Sequence, residues 1–305
     1  MNLSNSAPKS VDPAALKELY QIWILDRLES VKLDFAQALA DYRFNDAAIG
    51  AYKFLWNDFC DWYLELSKSA LSSEDPEKRG AAQYVLWKVL RETVLLLHPI
   101  MPFVTAEIWS ALPQNEGDEK DIALAAYPAA QPECSRPIQA AQMEFIKEVI
   151  IAIRTIKAEL GISPLKKVAA ILHPVNVEQE NLLKDNSSYL WNMAKLEKLE
   201  IDAKQSAPED SATKLVEGCQ VIVPLSGAVN LEDELARLAK ELAKLEKDLI
   251  AANKKLHNDS FTARAPAEVV AKEKERADKL QDAREKLEAR RKLFLKALRG
   301  EKKEE

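Results

Sequence analysis

Leu231, Leu235, Leu238, Leu242, Leu245, Leu249, Ala252 and Leu256 follow one another in alternating steps of four and three. A strand has period two and cannot use that spacing; an α-helix with a heptad seam can, and about four heptads is enough for a coiled coil. HNDSFTARAP, residues 257–266, then breaks the pattern with turn residues and a proline. A second helix is predicted from about Ala267 to Arg299, with Ala277, Leu280, Leu287, Phe294 and Leu298 on its seam and Arg284 and Arg291 interrupting it. The short turn leaves the first helix no nearer partner than the second, so the pair reads as an antiparallel hairpin. At 1.5 Å per residue the first helix projects roughly 40 Å, and the terminal EKKEE is expected to fray.

The first half is organised by a different signal, RFNDAAIGAYKFLWNDFCDWYLEL from Arg43 to Leu66. Tyr52, Leu55, Trp56, Phe59, Trp62, Tyr63 and Leu66 fall at helical spacing, which predicts one broad aromatic stripe. Asn45 is the expected N-cap, with Phe44 and Ile49 at staple spacing around it. A stripe that aromatic needs several partner helices, so a bundle is predicted, with the aromatics in its core. Arg43, Lys53 and Asn57 are the polar insertions; on a bundle rim they could meet phosphates or bases.

Before this helix, residues 1–12 read as a loose lead-in, and Pro13 suits the first turn of a helix running to about Ala40. After it come helices over about Glu77–Leu97 and Pro102–Leu112, then a proline- and acid-rich surface connection from Pro113 to Pro137. A helix from Ile138 to Leu160 follows, with Gly161 as its C-terminal cap. The period then changes. VAAILH (168–173), LEKLEID (196–202), ATKLVEG (212–218) and CQVIVPL (219–225) read as short strands around a helix over Glu178–Lys195, a small α/β module.

Seven glycines among 305 residues, and 47% apolar content, favour a mainly helical protein with real cores. No apolar run approaches the roughly 18 residues of a membrane span, so no membrane role is expected. Cys60, Cys134 and Cys219 are too far apart to form a metal or redox motif, which suits a reduced, cytoplasmic protein. The net charge of −6 is unevenly distributed: from Leu231 onward there are 20 Lys and Arg against 17 Asp and Glu, leaving 23 of the 43 basic and 32 of the 49 acidic residues before it. The C-terminal segment is therefore the end better suited to phosphates.

No nucleophile signature, glycine-rich phosphate loop or metal-ligand cluster is present, and His98 and His173 are isolated in sequence. The hairpin lysines, Lys254, Lys255 and Lys272 among them, alternate with acids and read first as solvated helix faces. His257, Phe261 and Arg264 stand at or near the tip, where stacking on a base pair or gripping a phosphate is the functional reading and capping of the hairpin core by Phe261 the structural one.

The wording of several segments resembles valyl-tRNA synthetase, a class I aminoacyl-tRNA synthetase. These are WILDRLESV (23–31), RFNDAAIGAYKFLWNDFCDWYLEL (43–66), LLLHPIMPFVTAEIW (95–109), IRTIKAELGISPLKKV (153–168) and FTARAPAEVVAKEKE (261–275), together spanning nearly the whole chain. The resemblance implies an anticodon-binding helical bundle over 1–160, a small α/β junction module over 161–230 and a coiled-coil tRNA-binding arm over 231–305. It implies valine tRNA as partner, with the bundle at the anticodon stem and loop and the arm at the outer corner of the tRNA. The candidates to meet it, read from the residues themselves, are Arg43, Lys53 and Asn57 on the bundle and Lys254, Lys255, His257, Phe261, Arg264 and Lys272 on the arm. The family's His-Ile-Gly-His and Lys-Met-Ser-Lys-Ser motifs do not occur. The chain is thus similar to the C-terminal part alone, a monomer without cofactor or activity of its own. The catalytic domain of the same enzyme, with ATP and magnesium, would do the chemistry. A stand-alone helical scaffold whose seam pairs with another protein is the alternative.

Overall fold

The computed structural model describes residues 7–202, 208, 210–225, 231–258 and 266–304. The fold is mainly α-helical with one small mixed sheet, and the chain divides into two compact units, Met1–Lys147 and Glu148–Glu305.

In the first unit, Asp12 caps a single 3-10 turn, Pro13–Ala15, and the long helix α1 starts only at Leu19, ending at Ala40. The helix expected from Pro13 is therefore delayed, because Leu16 is extended and closes the turn. α1 is the axis of the unit. Trp23, Ile24 and Leu28 are fully buried, and Gln21, Asp26, Glu29 and Lys32 are buried with them, so it is covered on nearly all sides.

The aromatic stretch is continuous helix in three parts: α2 (Phe44–Lys53), a π-helical stretch (Phe54–Tyr63) and α3 (Leu64–Leu71). Its buried row is Ala47, Ala51, Phe54, Asp58, Phe59, Trp62, Tyr63 and Leu66. Small Ala47 and Ala51 face inward and give α2 a close approach to α1. That rotates Tyr52 and Trp56 outward, to 61% and 54% exposure, against the expectation that both are core. Asn45 is not the N-cap: α2 opens at Phe44, Arg43 holds the cap position, and no side chain caps it.

α4 (Pro76–Leu97) is capped by Asp75, whose carboxylate accepts from the amide of Glu77 at 2.9 Å, and α5 (Pro102–Ala111) follows after the proline break. The long connection is not merely a surface loop. Ile122 joins Val94, Leu95 and Trp109 in one apolar cluster, and the indole nitrogen of Trp109 donates to the Glu119 carbonyl at 3.1 Å. The buried Asp26 carboxylate accepts from the Ser135 hydroxyl and the Arg136 amide, both at 2.6 Å, which pins the loop's end to α1. Within α6 (Pro137–Glu159), Lys147 lies 4.3 Å from the Trp23 ring centroid and 3.7 Å from Asp58, whose other oxygen accepts from Arg27 at 3.0 Å.

The second unit holds the sheet and the hairpin. β1 (Val168–His173) pairs in parallel with β2 (Leu196–Ile201) and antiparallel with β4 (Cys219–Pro224), which pairs antiparallel with β3 (Ser211–Val216), giving the order β2-β1-β4-β3. Glu217 and Gly218, both at positive φ, make the β3–β4 turn, the conformation a two-residue hairpin loop requires. The β1–β2 crossover is two helices, α7 (Val177–Asp185) and α8 (Ser187–Ala194), broken at Asn186, rather than one. The C-terminal part of α6 is tied to this module by polar groups. Arg154 donates to the Met193 carbonyl at 2.8 and 3.0 Å, and the buried Lys157 ammonium to the carbonyls of Pro164, Lys166 and Ala194 at 2.9, 2.7 and 3.3 Å.

The hairpin consists of α9 (Leu231–Leu256) and α10 (Ala267–Glu304), so the helix runs on through most of the tail expected to fray. Every member of the predicted α9 seam is buried or half-buried. α10 differs near its far end: Phe294 and Ala297 are buried, Arg291 is exposed, and the arginine turned inward is Arg290.

Candidate nucleic-acid interface

On the first unit, four aromatic side chains lie outside the core within fifteen residues: Tyr42, Phe44, Tyr52 and Trp56 are 81%, 58%, 61% and 54% exposed. Phe44, Tyr52 and Trp56 are separated by multiples of four, which keeps them on one side of the helix. The Tyr52 and Trp56 rings are stacked, with centroids 6.3 Å apart and planes 3° from parallel. Tyr42, at φ 59°, meets Phe44 edge-on at 6.2 Å. Ordered aromatic faces open to solvent are what an unpaired base stacks on.

Lys53 and Asn57 are exposed beside this row, four residues apart, and neither has a hydrogen-bond or ion-pair partner among the described residues. They are placed to reach a phosphate and a base edge. Arg43 differs. Its guanidinium donates to Asp46 at 2.8 Å and to Asp41 at 3.2 Å, and these hydrogen bonds hold its pKa above the ordinary arginine value. The Asp41 carboxyl is held below its usual range, first by the Gln37 amide and then by Arg43. Flanked by two acids, Arg43 offers a phosphate no net positive charge unless it leaves them. It stands ten residues before Lys53, roughly 15 Å along the helix.

The residues predicted on the hairpin fall into two groups. Lys254, Lys255 and His257 lie together at the end of α9 and are exposed. Lys255 is 3.6 Å from Glu273, and the His257 ring nitrogen Nδ1 bonds the Asn253 carbonyl oxygen at 2.8 Å. Lys272, in the second turn of α10, pairs with Glu268 at 2.7 Å. Phe261 and Arg264, the expected tip residues, lie outside the described residues.

Sequence reasoning missed Tyr52 and Trp56 because any aromatic at helical spacing looks like core. The available signal was the small pair Ala47 and Ala51, four apart, which marks the face of closest approach and leaves Tyr52 and Trp56 off it. Among the described residues no cluster of His, Cys, Asp or Glu could hold a metal ion, and no helix is long and apolar enough to cross a membrane. The His98 ring bonds the Thr105 hydroxyl at 2.8 Å, and all three cysteines are unbridged.

Two family models match the chain: the anticodon-binding domain of tRNA ligase over residues 21–172, and the valyl-tRNA synthetase tRNA binding arm over residues 230–294. The chain is 49% identical over 298 residues to valine–tRNA ligase of Nitratidesulfovibrio vulgaris, covering 98% of this chain and 33% of that protein. It is 43% identical over 277 residues to that of Geobacter sulfurreducens (90% and 31%) and 35% identical over 290 residues to that of Geobacillus stearothermophilus (95% and 33%). The chain thus spans about a third of the length of these curated relatives. With a helical unit and a hairpin arm each matched by its own family model, and with identity extending across nearly the whole sequence, the chain belongs to the valyl-tRNA synthetase family, over its anticodon-binding domain and tRNA-binding arm.

Proposed function

We propose that this chain is the tRNA-binding, C-terminal portion of a cytoplasmic valine–tRNA ligase. It holds valine tRNA while a catalytic domain elsewhere in the same polypeptide attaches valine with ATP and magnesium. The observation that carries the reading is the exposed, stacked Tyr52–Trp56 pair, with Lys53 and Asn57, which have no partner among the described residues, beside it. Bases of an anticodon loop are unpaired and can be splayed onto such faces, with Lys53 on the backbone and Asn57 on a base edge. The hairpin supplies a second, basic surface through Lys254, Lys255 and His257 at the end of α9 and Lys272 in the second turn of α10, and Phe261 and Arg264 join it on the reading of the sequence alone. Arg43 joins the first surface only by exchanging Asp41 or Asp46 for a phosphate. The portion acts as a monomer and needs no cofactor of its own.

The scaffold alternative is not favoured, since among the described residues the apolar seam of α9 is packed against α10. The test is tRNA binding by Tyr52→Ala and Trp56→Ala. Each is expected to lose about 1–3 kcal/mol of affinity per base stacked, with unchanged melting, because neither ring supports the core. Unchanged affinity in both variants would remove the α2 face from the interface.

A further inference from the structure

At the base of the hairpin, Arg290 of α10 is turned away from solvent, its side chain 10% exposed. Its guanidinium donates to Glu234 of α9 at 2.9 Å and lies 5.3 Å from the centroid of the fully buried Phe294 ring. The third face of the guanidinium meets the turn that ends α6. Gly161 there has φ +66°, and its amide and that of Ile162 return to the carbonyls of Ala158 and Lys157 at 3.0 and 2.8 Å. A Cβ on Gly161 would stand 2.7 Å from Nη1 and 2.8 Å from Cζ of Arg290, and nearer still to Nη2. The left-handed backbone favours glycine here, and the absence of a Cβ leaves the space in which the guanidinium sits.

This placement is costly for an arginine. Burial works against its charge, Glu234 supports it, and Nε is buried with no hydrogen-bond partner among the described residues. A heptad seam gains nothing from such a residue at its end; leucine would fill the space without the desolvation. What a planar guanidinium adds is a fixed orientation toward three neighbours at once: α9, its own helix and the α6 turn.

We infer that Arg290 and Gly161 form a latch that sets the direction of the hairpin relative to the α6 turn, making Arg290 a positioning residue for tRNA binding although it lies near the base of the arm. The inference rests on the proposed tRNA-binding role. A two-helix arm reaching roughly 40 Å amplifies a small rotation at its base into a large displacement of its tip. An arm correctly aimed only about a tenth of the time binds about tenfold more weakly.

The test uses spin labels at Glu178→Cys on α7 and Glu246→Cys on α9, both exposed, in a chain lacking Cys60 and Cys134; Cys219 is fully buried. Pulsed dipolar distance distributions, arm helicity and tRNA affinity are measured for Arg290→Ala, Arg290→Lys and Gly161→Ala. Arg290→Ala is expected to broaden the distribution at unchanged helicity and to lower tRNA affinity about tenfold, with Arg290→Lys intermediate. Gly161→Ala should reproduce the broadening by displacing the guanidinium. Because Arg290→Ala introduces no backbone strain, it still decides the matter if Gly161→Ala misfolds. A distribution in Arg290→Ala as narrow as the parent's overturns the latch, and broadening without loss of affinity overturns its role in positioning. If the parent itself does not bind tRNA, the functional reading fails, and the distance distributions judge the latch independently.

Discussion

Lys32 and Lys272 both pair with glutamates, but the first side chain is 2% exposed and the second 72%. Lys32 lies between Glu29, at 2.6 Å, and Glu92; Glu29 also accepts from the Gln131 amide at 2.6 Å, and Glu92 pairs with Lys88 as well. Removing the central ammonium leaves two carboxylates inside the unit with less compensation, whereas losing Lys272 exposes nothing. Lys32→Met is therefore expected to destabilise the first unit by about 3–5 kcal/mol, and Lys272→Met to change stability by less than about 0.5 kcal/mol. Urea unfolding of both variants measures the difference, and equal small effects would show that the buried network contributes little. In sequence the two lysines look alike, each a basic residue near glutamates at helical spacing. Only burial separates them.

At the scale of elements, the heptad seam of α9 was fully legible and that of α10 was not. A leucine every three or four residues names its own buried face, so Leu231, Leu238, Leu242 and Leu249 are buried as the spacing requires. Near its end, α10 offers two arginines in a row, and the period favours Arg291 while the structure turns in Arg290. The choice depends on a partner outside the hairpin, the turn at Gly161, which no pattern internal to the hairpin contains. Leu242, 6% exposed, has no such ambiguity. Leu242→Ala should lower the stability of the hairpin by about 2–5 kcal/mol. Hydrogen exchange would then quicken along α9 and α10 while the amides of β1 and β4 keep their protection; slowed or unchanged exchange in α9 would contradict the seam. In the aromatic stretch the helix itself was legible, but its inward face was set by Ala47 and Ala51, residues too small to dominate any hydrophobic pattern.

For the whole molecule the governing quantity is charge. At a net charge of −6, the proposed binding of a polyanion must run through local surfaces, and the segment from Leu231 holds the positive excess. Binding of tRNA is expected to weaken steeply with salt, each neutralised phosphate contributing a slope of about −0.7 to −0.9 in a log–log plot. A chain ending at Gly227 loses the arm and should bind more weakly, with a shallower slope, while its remaining core still melts cooperatively. Titration of both proteins across a salt series provides the check. Equal slopes would mean the arm meets no phosphates.

What the amino-acid sequence determined by itself was everything that rests on local period and punctuation. The heptad hairpin, the helices ended by HPIMPF and Gly161, and the four strands at their positions all follow from side-chain spacing and from residues that cannot continue a helix. These are short-range effects, and the residues that cause them are adjacent in the chain. Tertiary structure alone decided which side of the aromatic helix faces water, that Asp26 holds the loop before α6, and that Arg290 rather than Arg291 is seated at the base of the arm. Each of those outcomes is a competition between faces or neighbours of similar local merit. It is settled by how closely a distant element can approach, and that distance is not encoded in any window of sequence around the residue concerned.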